Sequence, residues 1–239
     1  MALAVALAAL GLLVAGGLVY WTQTAYEPGS TAASAMERAV EREGWYEFVP
    51  EAGAGEVGVV LYPGAKVSAE AYAETARRLS EASRARVAVI RSPLYFALLD
   101  RDAAEAVIRT HPDTERWVVG GHSLGGVAAA GFAARDREVS GLLLWASYPA
   151  SGTDLGDRPL KTASIYGSRD EVLDRQSLDD ARERLPEDTE YVELAGANHA
   201  QFGDYGEQGG DGSATASDAE ALSETVAASA RLVQDLGVE

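Results

Sequence analysis

Gly121-His122-Ser123-Leu124-Gly125 constrains this chain more than any other stretch. It stands between a short apolar run, Trp117–Gly120, and an Ala-rich run, Gly126–Ala134. The first reads as a buried strand and the second as a helix. The pentapeptide fits G-x-S-x-G, the sharp turn that presents a nucleophilic hydroxyl above a sheet. Its glycines have a steric reason. A strand that becomes a helix within one residue brings backbone segments together, and a side chain at either flank would clash. Ser123 then takes the strained position, backed by the next helix's unpaired N–H groups and positive dipole end. Those donors lie where an oxyanion would develop. A plain βα turn with an N-capping serine is the simpler use of the same residues.

The rest of the chain supplies the sheet such a turn needs. Val57–Tyr62, Arg86–Arg91, Gly141–Ser147, Thr162–Tyr166 and Glu190–Leu194 read as strands, most of them continuous apolar runs. Trp45–Val49, bounded by Gly44 and Pro50, reads as an edge strand. Between them lie helical patterns at Ser34–Glu43, Ser68–Ala82, Arg101–Thr110, Ser177–Arg184 and Ser217–Leu236. Alternation of this kind predicts an α/β fold, a doubly wound and mostly parallel sheet with helices on both faces. Sites in such sheets form where strands finish at their C-terminal edge. The elbow, Pro63-Gly64-Ala65, Asp170 and His199 all fall there.

A serine hydroxyl is a weak nucleophile and needs a general base, usually a histidine that a carboxylate orients. There are three histidines. His122 sits inside the elbow with its side chain expected to point away from the hydroxyl. His111 precedes Pro112 and reads as a solvated helix cap. His199 follows the last strand in a loop able to reach back, so it is the expected base. Asp170 follows the penultimate strand and is the expected acid, with Glu171 and Asp174 as neighbours that offer the same group. The order Ser, Asp, His is that of the α/β-hydrolase fold. Two N–H donors must meet the oxyanion: Leu124, after the nucleophile, and Ala65, with Gly64 as its alternative. The short interval between Ser147 and Thr162 leaves no room for a sizeable cap. Tyr95, Phe96, Tyr148 and Phe202 are the expected apolar walls for substrate, and each is equally readable as core packing. Asp204 and Asp211, in the loop after His199, read as a solvated loop more readily than as a cation site. No metal and no cofactor are expected.

Charge narrows the partners. The net charge is −17, and Lys66 and Lys161 are the only lysines. An acidic, lysine-poor surface argues against nucleic acid and fits a halophile-like protein kept soluble in high salt. The absence of cysteine excludes disulfides, a thiol nucleophile and cysteine metal sites.

Met1–Trp21 carries no charged side chain. About 20 apolar residues span a bilayer's hydrocarbon core, and Tyr20 and Trp21 close the run as interfacial aromatics do. Nothing basic precedes it and no clean cleavage site follows, so a single-pass transmembrane helix is favoured over a signal peptide. The expected layout is an anchor over residues 1–21, a tether over 22–33 and a catalytic domain over 34–239. The lipid bilayer is then a partner and the domain extracytoplasmic, or secreted if the leader is cleaved.

The chain resembles the α/β-hydrolases, and among them the small lidless family called alpha/beta hydrolase fold-5. Five ordered landmarks carry the resemblance: Leu61–Val67, Gly121–Gly126, Leu144–Pro149, Ile165–Asp170 and Asn198–Gly203. It spans about residues 45–235. It implies that Ser123, Asp170 and His199 form a triad and that the protein is a hydrolase, but names no substrate; the open, capless pocket is what favours a small acyl substrate. The expected activity is a serine esterase working through an acyl-enzyme. A non-catalytic binding or scaffold protein on the same fold, and an acyltransferase using another alcohol in place of water, are the other readings.

Overall fold

Eight strands form one sheet in the spatial order β1-β2-β4-β3-β5-β6-β7-β8. They are β1 Val40–Arg42, β2 Trp45–Phe48, β3 Val57–Tyr62, β4 Arg86–Ile90, β5 Arg116–His122, β6 Val139–Trp145, β7 Lys161–Gly167 and β8 Glu190–Leu194. This computed structural model describes residues 16–237. From β4 across to β8 every pairing is parallel; β1 and β2 add antiparallel at one edge. The helices are α1 Ser30–Ala35, α2 Ala73–Ser83, α3 Ala103–Thr110, α4 Leu124–Arg135, α5 Arg175–Asp180 and α6 Asp218–Gly237.

The continuous apolar strands have a physical cause in this layering. Successive side chains point to opposite faces, and both faces are covered. Val118 and Leu143 join the core beneath α2 and α6, whereas Val119, Leu142 and Leu144 join the core beneath α3 and α4. Each such aliphatic side chain contributes about 1.5–3 kcal/mol by leaving water. The doubly wound sheet is therefore as expected. The connection from β6 to β7 holds no helix, so no cap covers the strand ends there.

Three expectations are corrected. Ser34–Glu43 is not one helix. The helix ends at Ala35, a 3₁₀ turn covers Met36–Arg38, and Val40–Arg42 forms a strand paired with β2. Gly44, at φ 94°, makes the turn of that hairpin. β-Pairing overrides the weak helical signal of the charged residues.

The membrane anchor is the second correction. Among the described residues no helix is long and apolar enough to cross a membrane. Residues 1–15 of the expected anchor lie outside the described residues. Residues 16–23 are helical, with Leu18, Val19 and Tyr20 exposed and Trp21 packed on the protein itself. Trp21 Nε1 donates to the Leu94 carbonyl at 2.8 Å, and its ring meets Phe96 edge-on at 5.9 Å. An indole engaged in this way serves protein packing and not a bilayer interface. The bilayer partner and the single-pass location inferred from that run therefore fall.

Third, residues 22–33 do not form a free tether. Tyr26 pairs with Val67 in a parallel bridge. Ala32, in α1, is fully buried.

Candidate active site

Ser123 lies between β5 and α4 with φ 53° and ψ −123°. That backbone state costs a non-glycine residue about 1–3 kcal/mol, so the surroundings must impose it. They do so by crowding. A Cβ on Gly121 would lie 2.5 Å from the Gly125 carbonyl carbon, and one on Gly125 would collide with the Tyr62 carbonyl oxygen. The elbow is then pinned from outside. Ser123 N–H donates to the Trp145 carbonyl at 2.9 Å, and Ser147 Oγ donates to the Ser123 carbonyl at 2.7 Å.

Strain gathers at this edge. Six non-glycine residues among those described have positive φ. Lys66, Leu94, Tyr95, Ser123 and Ala146 follow the C-terminal ends of β3, β4, β5 and β6; only Arg84, at the end of α2, stands elsewhere.

Asp170 and His199 meet beside the elbow. His199 Nδ1 lies 2.8 Å from Asp170 Oδ2, and both side chains are almost wholly buried. The carboxylate is fixed by two further donors, the amides of Val172 at 3.0 Å and Leu173 at 2.8 Å, both on Oδ1. With Nδ1–H donating to Asp170, the free lone pair of His199 is on Nε2. That atom is buried and has no hydrogen-bond partner among the described residues. No hydrogen bond joins it to Ser123 Oγ; such bonds are commonly long before substrate arrives. The His199 ring packs 4.5 Å from that of His122, the residue before Ser123.

His122 turns away from the hydroxyl, as expected. Its Nδ1 lies 2.8 Å from Tyr72 Oη. Tyr72 Oη in turn accepts the Gly64 N–H at 3.0 Å, so its own proton faces His122. Burial first, and the neighbouring His199 second, push the His122 pKa well below its usual value. The ring is therefore neutral, with its proton on Nε2. Gly64's amide is engaged by Tyr72. The amides of Ala65 and Leu124 have no hydrogen-bond partner among the described residues, which leaves both available to an incoming oxygen.

The expected substrate walls divide. Tyr95 and Phe96 are half-buried in the loop after β4, and Tyr148 is half-buried after β6. Phe202 is corrected: it is 1% exposed and stacks on the His122 ring at 5.6 Å, so it supports the site from below. His111 is no solvated cap; its Nε2 lies 2.8 Å from Oε2 of the buried Glu47. Asp204 and Asp211 act as staples. Asp204 Oδ2 accepts the Ala32 amide, and Asp211 accepts the amides of Ala200 and Gly212. Tyr72 and Asp211 were not singled out from sequence for these roles, because nothing local reveals a partner more than ten residues away. Two surface grooves, of about 480 Å³ beside Arg38 and Arg77 and about 370 Å³ beside Arg116 and Lys161, are lined by none of the site residues.

A parallel sheet ending in a strained serine turn, with a buried His–Asp pair at the same edge, defines the α/β-hydrolase class. Residues 58–223 match the alpha/beta hydrolase family, and the chain belongs to that family. No curated protein matches it in sequence. Solved structures share its fold at low identity. A putative α/β hydrolase of unknown function from Agrobacterium tumefaciens is 17% identical, covering 84% of this chain and 97% of its own, at TM-score 0.60. An esterase from Pyrobaculum calidifontis is 18% identical, covering 87% of this chain and 89% of its own, also at 0.60. An α/β hydrolase from the Lake Arreo metagenome in Spain is 18% identical, with 87% coverage of each chain, at 0.56.

Proposed function

We propose that this hydrolase is a serine esterase acting on a small acyl substrate through Ser123, His199 and Asp170. Ser123 Oγ attacks the acyl carbonyl while His199 Nε2 takes its proton. Asp170 holds the imidazole by Nδ1 and stabilises the imidazolium that forms. The oxyanion of the tetrahedral intermediate receives the amides of Leu124 and Ala65. Collapse of the intermediate expels the alcohol, which takes the proton back from His199, and leaves an acyl-enzyme on Ser123. Water, deprotonated by the same Nε2, then releases the acid.

The observation that carries this reading is the buried Asp170–His199 pair, 2.8 Å apart, whose Nε2 is unpartnered and whose ring packs 4.5 Å from that of His122, the neighbour in sequence of a serine held in a strained turn. Strained backbone persists where the surroundings over-determine it, commonly at active sites. The esterase so named among the structural neighbours supports the same chemistry.

Labelling with a fluorophosphonate, followed by peptide mapping, tests it together with hydrolysis of short-chain nitrophenyl esters. Label on Ser123 and ester turnover abolished in Ser123→Ala are the expected results. A folded protein that takes no label and is inert to a panel of esters would sink the proposal.

A further inference from the structure

Residues 21–32 cross the catalytic edge and grip three of its loops. At one end, Trp21 bonds Leu94 and packs on Phe96. In the middle, Tyr26 N–H donates to the Lys66 carbonyl at 2.6 Å, and Ser68 N–H donates back to the Tyr26 carbonyl at 3.1 Å. Thr24 Oγ1 accepts Lys66 Nζ at 2.8 Å. At the far end, Gly29 N–H donates to the Asp204 carbonyl at 2.7 Å and Ala32 N–H to its carboxylate at 2.7 Å. This segment lies outside the 58–223 stretch that matches the family.

The residue most tightly held is Lys66, which directly follows Ala65. Its φ is 64°, a strained state that must be imposed from outside. The loop after β4 holds it on one side, through Lys66 N–H to the Tyr95 carbonyl at 2.8 Å. On the other side the hold is Tyr26. We infer that the segment from Trp21 to Ala32 is a positioning strap for the oxyanion loop: its Tyr26–Lys66 bond fixes the backbone at Ala65 so that this amide aims at the reacting carbonyl oxygen. The inference rests on the esterase reading of Ser123 and Ala65. It makes a part of the chain beyond the family match contribute to the rate.

A misaimed donor weakens the transition state more than substrate binding, since the ground-state carbonyl makes less of the oxyanion hole. The effect therefore falls on kcat. The test uses the full chain with Tyr26→Pro, which deletes the N–H that Lys66 accepts, and with Thr24→Val, which removes the Lys66 Nζ bond together with the hydroxyl's own bonds to the Tyr20 and Trp21 carbonyls. Active sites are titrated with fluorophosphonate, and kcat is expressed per labelled site for a nitrophenyl ester. Tyr26→Pro is expected to lose about tenfold or more in kcat per site, and Thr24→Val about threefold, with KM changed less than either. Should Tyr26→Pro fail to fold, Thr24→Val decides alone. Lower thermal stability with unchanged kcat per site in the folded variants would overturn the inference and make the strap a purely structural element. A wild-type protein that takes no label would instead refute the esterase reading beneath it, so the two failures are told apart.

Discussion

The Asp211 carboxylate accepts the amide of Ala200, the residue after His199, at 2.9 Å. Its other oxygen faces the amide of Glu171, the residue after Asp170, at 3.4 Å. One side chain thus ties the loop of the expected base to the loop of the expected acid. In the proposed mechanism a misplacement of about 1 Å between these groups is costly, and Asp211 holds their two loops together from outside the reacting centre. Asp211→Ala is expected to lower kcat by about tenfold and stability by about 1–3 kcal/mol, the cost of leaving the amides of Ala200, Gly212 and Glu171 without this acceptor. Asp211→Asn keeps one acceptor and should recover part of both. Steady-state kinetics and thermal melts on the two variants check this; equal loss in both would count against the staple.

Asp170→Asn keeps an acceptor for the Val172 and Leu173 amides but no longer favours the Nδ1–H form of His199. A fall in kcat of about 10⁴-fold with the fold intact is expected. Ester hydrolysis together with circular dichroism measures it, and activity within tenfold of the parent would remove Asp170 from the triad.

Gly125→Ala places a methyl into the Tyr62 carbonyl oxygen, and that neighbour is backbone, unable to step aside. Overpacking against fixed backbone should cost about 3 kcal/mol or more. Urea unfolding of the variant measures it; a cost below about 1 kcal/mol would mean the turn is looser than described.

His122 gives the fold an acid limit. Its folded-state pKa lies well below the ordinary 6.5, chiefly because it is buried. As pH falls, the unfolded chain therefore binds that proton first. The contribution of the neutral ring is intact above about pH 6.5 and is lost below it, by about 1.4 kcal/mol per pH unit until the folded pKa is reached. His122→Gln removes the titrating group and should flatten the stability curve between pH 6.5 and 5. Urea midpoints across that range read the slope directly.

A net charge of −17 on 239 residues is self-repelling in dilute buffer. Added salt screens it, with a Debye length shrinking from about 30 Å at 0.01 M to about 3 Å at 1 M. The thermal midpoint and ester turnover are expected to rise from dilute buffer towards molar sodium chloride. Full stability and activity at low salt would show that the acidic surface is not adapted to brine.

Local chemistry by itself determined the strand–turn–helix elbow, since Gly121 is demanded by the Gly125 backbone four residues on, whereas Gly125 is demanded by the Tyr62 carbonyl of the neighbouring strand. It also determined the parallel sheet, because strands covered on both faces must be apolar throughout. Tertiary structure alone decided the rest. An apolar run reads alike whether it faces lipid or protein, and only the fold set its last residue, Trp21, against Leu94 and Phe96. An aromatic after His199 reads equally as wall or core, and only the His122 ring against Phe202 made it core. Tyr72 and Asp211 became part of the site through partners such as His122 and Glu171, which lie far off in the chain, and no pattern in a linear chain records which distant group a hydroxyl or carboxylate will meet.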